Sequence, residues 1–419
     1  MLRVLRSSTA TRTLRPATSQ RLMTCRPFGT ADLINQANST GKDDASLKLP
    51  ELGMCNTAPS RSAFQAQDSK RNARQQLPAQ VSQPKFVDVD AVSRRYAPAT
   101  WKRISLADPL LMSFQGRGIG SFVRQPGSGN LNTAVDTVVN ARKLMLCTGF
   151  NVDRNMPETD GPVGVAILAY ACCRAGKQVV VAADKRNAHL VREALLVLDS
   201  GCLRHIQIEA VEAHMSADMR SLEAMLDKHD VDAVVHTEVP GQNKDGQYLN
   251  MRGIPIGEFN APLDTLMDLA NEKQIGTVGV GDGGNEAGMG RLAGVPPALN
   301  GLEMQAVIPA AHQVIAWNSN LGAIALGEFV LASAGKGASC RPETFLAIVH
   351  KLFQEGAFDG VTRLSTLDER LENPALPRHY NQTCVDGACS AIHIGNLLQL
   401  QDIAHNVPLV WPAPVHKNS

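Results

Sequence analysis

Between residues 143 and 317 the chain carries six short apolar runs separated by longer, mixed stretches. They are KLMLCTGF (143–150), QVVVAAD (178–184), HIQIEAV (205–211), DAVVHTEV (232–239), GTVGVGD (276–282) and HQVIAW (312–317). Each has the length of a strand, and several are apolar at consecutive positions, so they must be covered on both faces. The stretches between them follow helical periods. PVGVAILAYACCRAG opens on Pro162, whose missing N–H costs nothing in a first turn, and stops at Gly176. SADMRSLEAMLDKHD sets Met219, Leu222 and Met225 or Leu226 on one stripe.

Buried strands alternating with helices predict an α/β fold of three layers, a mainly parallel sheet with helices on both faces, resembling a Rossmann fold. Strand order cannot be read from these patterns. Residues 91–419 are expected to form this one domain, entered through a helical segment around TWKRISLADPLLMSF (100–114). Residues 31–90, as in QAQDSKRNARQQLPAQVSQPK, are polar without a lasting apolar period and read as a linker.

Charge changes the picture at the amino end. The 419 residues carry a formal net charge of +1, but residues 1–30 hold six Arg and no acid, leaving +1 − 6 = −5 for the rest. An Arg-rich, Ser- and Thr-rich, acid-free leader is the pattern of a mitochondrial transit peptide, which points to the matrix. No basic face for nucleic acid is implied, and no run of about 18 apolar residues suggests a membrane span. The nine scattered Cys include no CxxC pair, which argues against both a disulfide framework and a zinc cage.

In folds of this class ligands sit beyond the carboxyl ends of the strands, so the loops after the strands are searched for chemistry. The first, TGFNVDRNMPETDGPVG (148–164), leads into a helix whose free N–H groups could hold an anion; Glu158 and Asp160 stand there either as functional carboxylates or as caps. The fourth, HTEVPGQNKDGQYLNMRG (236–253), carries Arg252, whose planar fork suits a carboxylate. GVGDGGNEAGMG (279–290) has six glycines in twelve positions and formally matches GxGxxG. A pyrophosphate would be repelled by Asp282 and Glu286, and LAGVPPALNG follows where a second strand and its acidic residue belong. With Asn285, these carboxylates suit an ammonium group or a hard divalent cation, magnesium or manganese. AWNSNLGAIALG (316–327) offers Asn318, Ser319 and Asn320 as polar groups. Asp359 in FDGV and Asp386 in CVDG read as turn residues, and His393 as a packed helix residue.

In this order, TGF, ETDGPVG, PGQNKDGQYLNMRG, GDGGNEAGMG, SNLGAIAL, DGV and VDG resemble the D-glutamate cyclase family over roughly residues 100–405. ETDGP and GDGGNEAGMG are its specific pieces. The resemblance implies a hydro-lyase that dehydrates D-glutamate within one molecule to 5-oxo-D-proline and water. It departs at Glu238-Val239-Pro240-Gly241, where relatives often have Glu-Arg-Pro-Gly, and at Ser319-Asn320-Leu321-Gly322, where they often have Ser-Asn-Trp-Gly. Larger relatives also carry an N-terminal hydro-lyase-like domain, for which this sequence has no counterpart.

For such a reaction Asp282 or Glu286 would serve as the base, the other orienting the amine, and Arg252 would grip the α-carboxylate. Gly281, Gly283, Gly284, Asn285, Asn250, Thr159, Gly161 and Asn320 would line the substrate. N–H groups of 281–284 or of the helix at Pro162 would stabilise the oxyanion. If a metal sits on Asp282 and Glu286, the base moves to Glu158 or Asp160. The expected partner is D-glutamate, and a homo-oligomer is open. Two alternatives stand beside this one: a nicotinamide- or nucleotide-binding oxidoreductase, and a non-enzymatic subunit that binds a D-amino acid.

Overall fold

The computed structural model describes residues 81–114, 116–154, 156–213, 219–361 and 384–406. The expected transit peptide and the linker up to residue 80 lie outside the described residues.

All six apolar runs are strands: β1 (Lys143–Thr148), β2 (Gln178–Asp184), β3 (Ile206–Val211), β4 (Ala233–Thr237), β5 (Gly276–Gly281) and β6 (His312–Ile315). They form one sheet in the order β3-β2-β1-β4-β5-β6, every neighbouring pair parallel. This is the doubly wound Rossmann order, in which the chain direction across the sheet reverses between β1 and β4 and opens a crevice beyond their carboxyl ends.

Consecutive strand residues pack against opposite layers, which is why the runs are continuously apolar. Leu144 and Leu146 join one core with α1 (Leu131–Asn140), α2 (Pro162–Arg174), α3 (Lys185–Leu198) and α6 (Ser319–Ser333). Met145 and Cys147 join the other with α4 (Met219–His229) and α5 (Asp264–Glu272), where Leu222 and Leu226 supply the inward stripe. Of two further helices, α7 (Pro342–Gln354) packs against α3, and α8 (Ser390–His405) packs against α6 and α7. Ahead of α1, residues 98–111 form the short helices Pro98–Ser105 and Asp108–Leu111.

Two helix starts meet at the crevice. α2 begins one loop after β1, and α6 begins directly after β6. A Cβ on Gly164 of α2 would lie 2.6 Å from Asn320 Cα of α6, so only a glycine lets the two backbones cross this closely.

Candidate functional site

The junction of these helix starts is filled by the protein's own anion. Asp160 Oδ1 accepts from the N–H of Gly161 (2.9 Å) and of Asn320 (2.8 Å), and Oδ2 accepts from Ser319 N–H (3.1 Å). Asn320 Oδ1 accepts from Gly161 and Gly164 N–H, and its amide donates to Thr159 O. The positive ends of α2 and α6 therefore hold a carboxylate already. The helix start expected to receive a substrate anion receives Asp160 instead.

The glycine-rich loop after β5 behaves alike. Glu286 turns back into it: Oε1 accepts from Asp282 N–H (3.1 Å) and Gly283 N–H (2.7 Å), and Oε2 from Gly284 N–H (2.7 Å). The N–H groups of 282–284, expected to serve an oxyanion, are thus donated to Glu286, and the same bonds remove the cradle that a pyrophosphate would need. Glycine is required at 284, where φ is +87° and a Cβ would stand 2.5 Å from Val295 Cγ1. Gly281 closes β5 with its Cα side against Glu286, and Asn285 donates to Leu249 O, tying the loop to the segment after β4.

Glu238 sits just past the end of β4 in a left-handed conformation, φ +50°. It is buried, and its Oε2 lies 2.5 Å from Ser319 Oγ. Its carboxyl, with those of Asp282 and Glu286, forms one group whose oxygens lie within 4.8 Å of one another; Asp160, Asp282 and Asp386 form a second. Asp282 belongs to both. These hard-oxygen sets are the ones among the described residues that could hold a divalent cation. Burial first, then the charges of Asp160, Glu286 and Glu158, hold the Glu238 carboxyl well above the ordinary carboxylate range, against the pull of the Ser319 hydroxyl.

The carboxyl-terminal part of the domain closes the far side. Asp386, at φ +53°, occupies the tip of a tight hairpin closed by Val385 and Ala388. Asp359 is fully buried and accepts from the N–H of Val361 and Gly387, which fixes that tip. Glu158 lies against Gly360, where any Cβ would overlap its Oε1. Thr159 is buried, its N–H bonded to Phe358 O. Beneath Gly161, at φ +98°, a Cβ would stand 2.5 Å from Thr148 Oγ1 and 3.0 Å from Glu238 Cβ.

Asn250 Oδ1 accepts from Arg252 N–H (2.9 Å) and Ile254 N–H (3.1 Å), making the turn that carries Arg252. The neighbouring Met251 reaches Gly283, since a Cβ there would lie 2.9 Å from Met251 Sδ. The Arg252 turn is thereby anchored to the Asp282 loop, and Arg252 itself is half-buried. Buried hydroxyls of Thr148, Thr159 and Thr237 and the amide nitrogen of Asn318 have no hydrogen-bond partner among the described residues. His393 is a packed helix residue, as read from the sequence: it is buried between Trp317 and Phe345 with Nε2 on Val385 O.

The sequence does not mark Glu238 or Asp386 as site carboxylates, and it marks Ser319 only as a polar group. The usable signal for Glu238 was its place at the carboxyl end of an apolar run, meaningful once β4 is known to flank the reversal. Nothing local marks Asp386 beyond a turn.

The parallel sheet and the buried carboxyls at its strand-order reversal define an α/β domain of the Rossmann-like kind. Residues 105–369, well over half of the chain, match the family model described as D-glutamate cyclase-like, C-terminal, and the chain belongs to that family. Over 227 residues it is 32% identical to the human protein named D-glutamate cyclase, mitochondrial. That match takes in 50% of this chain and 35% of the human protein, so the chain corresponds to about a third of its relative.

Proposed function

We propose that the chain is a D-glutamate cyclase acting in the mitochondrial matrix, converting D-glutamate to 5-oxo-D-proline and water. The observation that carries this reading is the contrast among the buried carboxyls of the pocket. Asp160 and Glu286 each accept three backbone N–H bonds, so their carboxyl oxygens are engaged by the chain itself. Glu238 is buried and faces negative charge, which favours its neutral form against the pull of the Ser319 hydroxyl. A neutral acid beside carboxylates is the pairing that acid–base chemistry uses.

The substrate brings proximity, because the ring closes within one molecule. With an α-amino pKa near 8, roughly a tenth of the amine is neutral at pH 7, so a base must take the ammonium proton. Asp282 is that base; Glu286, engaged by the loop it caps, shapes the pocket. The amine nitrogen then bonds to the side-chain carboxyl carbon. Glu238 gives its proton to the oxygen that leaves when the C–O bond breaks. Two protons leave the nitrogen and two join the departing oxygen, and Asp282 and Glu238, in one 4.8 Å group, relay them.

Arg252 pairs with the α-carboxylate and offsets the negative pocket. The unpartnered hydroxyls of Thr148, Thr159 and Thr237 and the Asn318 amide are the polar groups left for the substrate. When bound, a magnesium or manganese ion would supply further charge neutralisation.

The test is mass-spectrometric. The full chain is incubated with D-glutamate and, separately, L-glutamate, with and without EDTA. The expected result is 5-oxoproline from the D isomer alone. No product from either isomer overturns the reading, and binding of D-glutamate without turnover would leave a binding subunit in its place. Loss of product in EDTA, restored by the metal, would make Asp282 a metal ligand and move the base elsewhere.

A further inference from the structure

The hairpin that carries Asp386 brings two cysteines into register. Val385 and Ala388 exchange both backbone hydrogen bonds, N–H of each to O of the other, at 3.1 and 3.0 Å. Asp386 and Gly387, at φ +53° and +72°, are the two residues of the turn, both left-handed, which is the geometry that closes a two-residue hairpin. The next pair outward in the same antiparallel register is Cys384 and Cys389. Such a pair is the non-hydrogen-bonded kind, with Cα atoms about 4.5 Å apart. Disulfides bridge Cα atoms separated by about 4.4–6.8 Å.

We propose that Cys384 and Cys389 form a reversible disulfide that locks the Asp386 turn. Neither is in a disulfide here, and both are buried. Cys389 is the N-cap of α8, in extended conformation and with no capping bond from its side chain, so its sulfur is not committed to the helix. No other described pair stands across a hairpin: Cys172 and Cys173 are neighbours on one helix turn, Cys147 is in β1, Cys202 in the turn Cys202–Arg204 and Cys340 just ahead of α7. The turn itself reaches the surface, since Asp386 and Gly387 are half-buried.

In the step, each thiol gives up one proton and one electron and the S–S bond forms. Hydrogen peroxide is the oxidant; its O–O bond breaks and two waters leave. A low-molecular thiol such as glutathione reverses the step by exchange. The bond ties the ends of the turn together and so fixes the tip whose Asp386 carboxylate faces Asp160 and Asp282. Oxidation would thereby restrict a wall of the acidic pocket without touching its other members. The inference stands whether or not the pocket is a cyclase site.

Both cysteines fall on one tryptic peptide, residues 379–417, with no other cysteine. The full chain is equilibrated in glutathione buffers of graded oxidised fraction, quenched with an alkylating reagent and digested. Alongside, a synthetic peptide of residues 379–417 is treated identically. The expected result is a peptide lighter by two hydrogens and protected from alkylation, oxidised in the folded chain at a more reducing poise than in the free peptide. It should be absent from Cys384→Ser and Cys389→Ser chains, either of which keeps the other thiol alkylatable. Oxidation in the folded chain no easier than in the free peptide, or two alkylated thiols at the most oxidising poise, overturns the proposal.

Discussion

Ser319 Oγ and Glu238 Oε2 lie 2.5 Å apart in a region closed to water, joining the first residue of α6 to the end of β4. The bond spans 81 residues of sequence, while the left-handed backbone of Glu238 is held by its N–H donating to Val280 O and its carbonyl accepting from Gly149 N–H.

Replacing Glu238 by Gln keeps the shape and a partner for Ser319 but removes the proton. Turnover of D-glutamate is expected to fall by about 10²–10⁴-fold with the fold intact. The sign of the pH effect follows from the raised pKa. The neutral carboxyl is the native form, so the stability it contributes is present at low pH and is lost as pH rises through the raised folded value. Circular dichroism melts from pH 5 to 9 should show that decline in the parent chain and a flatter profile in Glu238→Gln. Full activity in the Gln variant would remove Glu238 from the chemistry.

Asp282→Asn leaves the backbone N–H that Glu286 caps and takes away the base. Product formation is expected to drop by about 10²–10⁴-fold, while the melting temperature stays close to that of the parent. A variant with near-parental kcat would shift the base to another carboxylate.

Arg252→Lys retains the charge and loses the two-pronged geometry. KM for D-glutamate should rise about ten- to a hundredfold with a smaller change in kcat, the cost of a charge-assisted bond or two. An unchanged KM would remove Arg252 from the site.

Glu286→Gln places an amide NH2 among three backbone N–H donors that now share one carboxylate. One of those donors loses its acceptor, so a loss of about 1–3 kcal/mol is expected from the denaturant midpoint, together with reduced activity as the Asp282 loop loosens. Unchanged stability would mean that the loop is held by its glycine packing alone.

Gly161→Ala meets both a positive φ and a filled space between Thr148 and Glu238. The expected destabilisation is about 1–3 kcal/mol or more, measured in the same way. A stable, fully active Ala variant would show that the α2 start has room to shift.

Much of this molecule is local and was legible in the sequence. Runs such as QVVVAAD could be read as strands because a strand buried on both faces needs apolar residues at consecutive positions. Pro162 and Gly176 marked the ends of α2 because the backbone requirements of a helix start and stop are set by the residues at those points. Asp160 and Asp282 were legible too, as carboxylates beside glycines at strand ends. Tertiary structure decided the rest. Whether Asp160 would receive a ligand or serve as the anion for two helix starts depended on α6, whose first residues lie some 160 positions away. Glu286 read as a site carboxylate until its turn back onto 282–284 showed it satisfied by its own loop. Glu238, Ser319 and Asp386 have no common signal along the chain, because strand order and hairpin placement are fixed by burial of distant surfaces. Only that packing brings the Glu238 carboxyl and the Ser319 hydroxyl together out of water and sets half-buried Asp386 beside Asp160 and Asp282, and burial with neighbouring charge keeps the proton on Glu238.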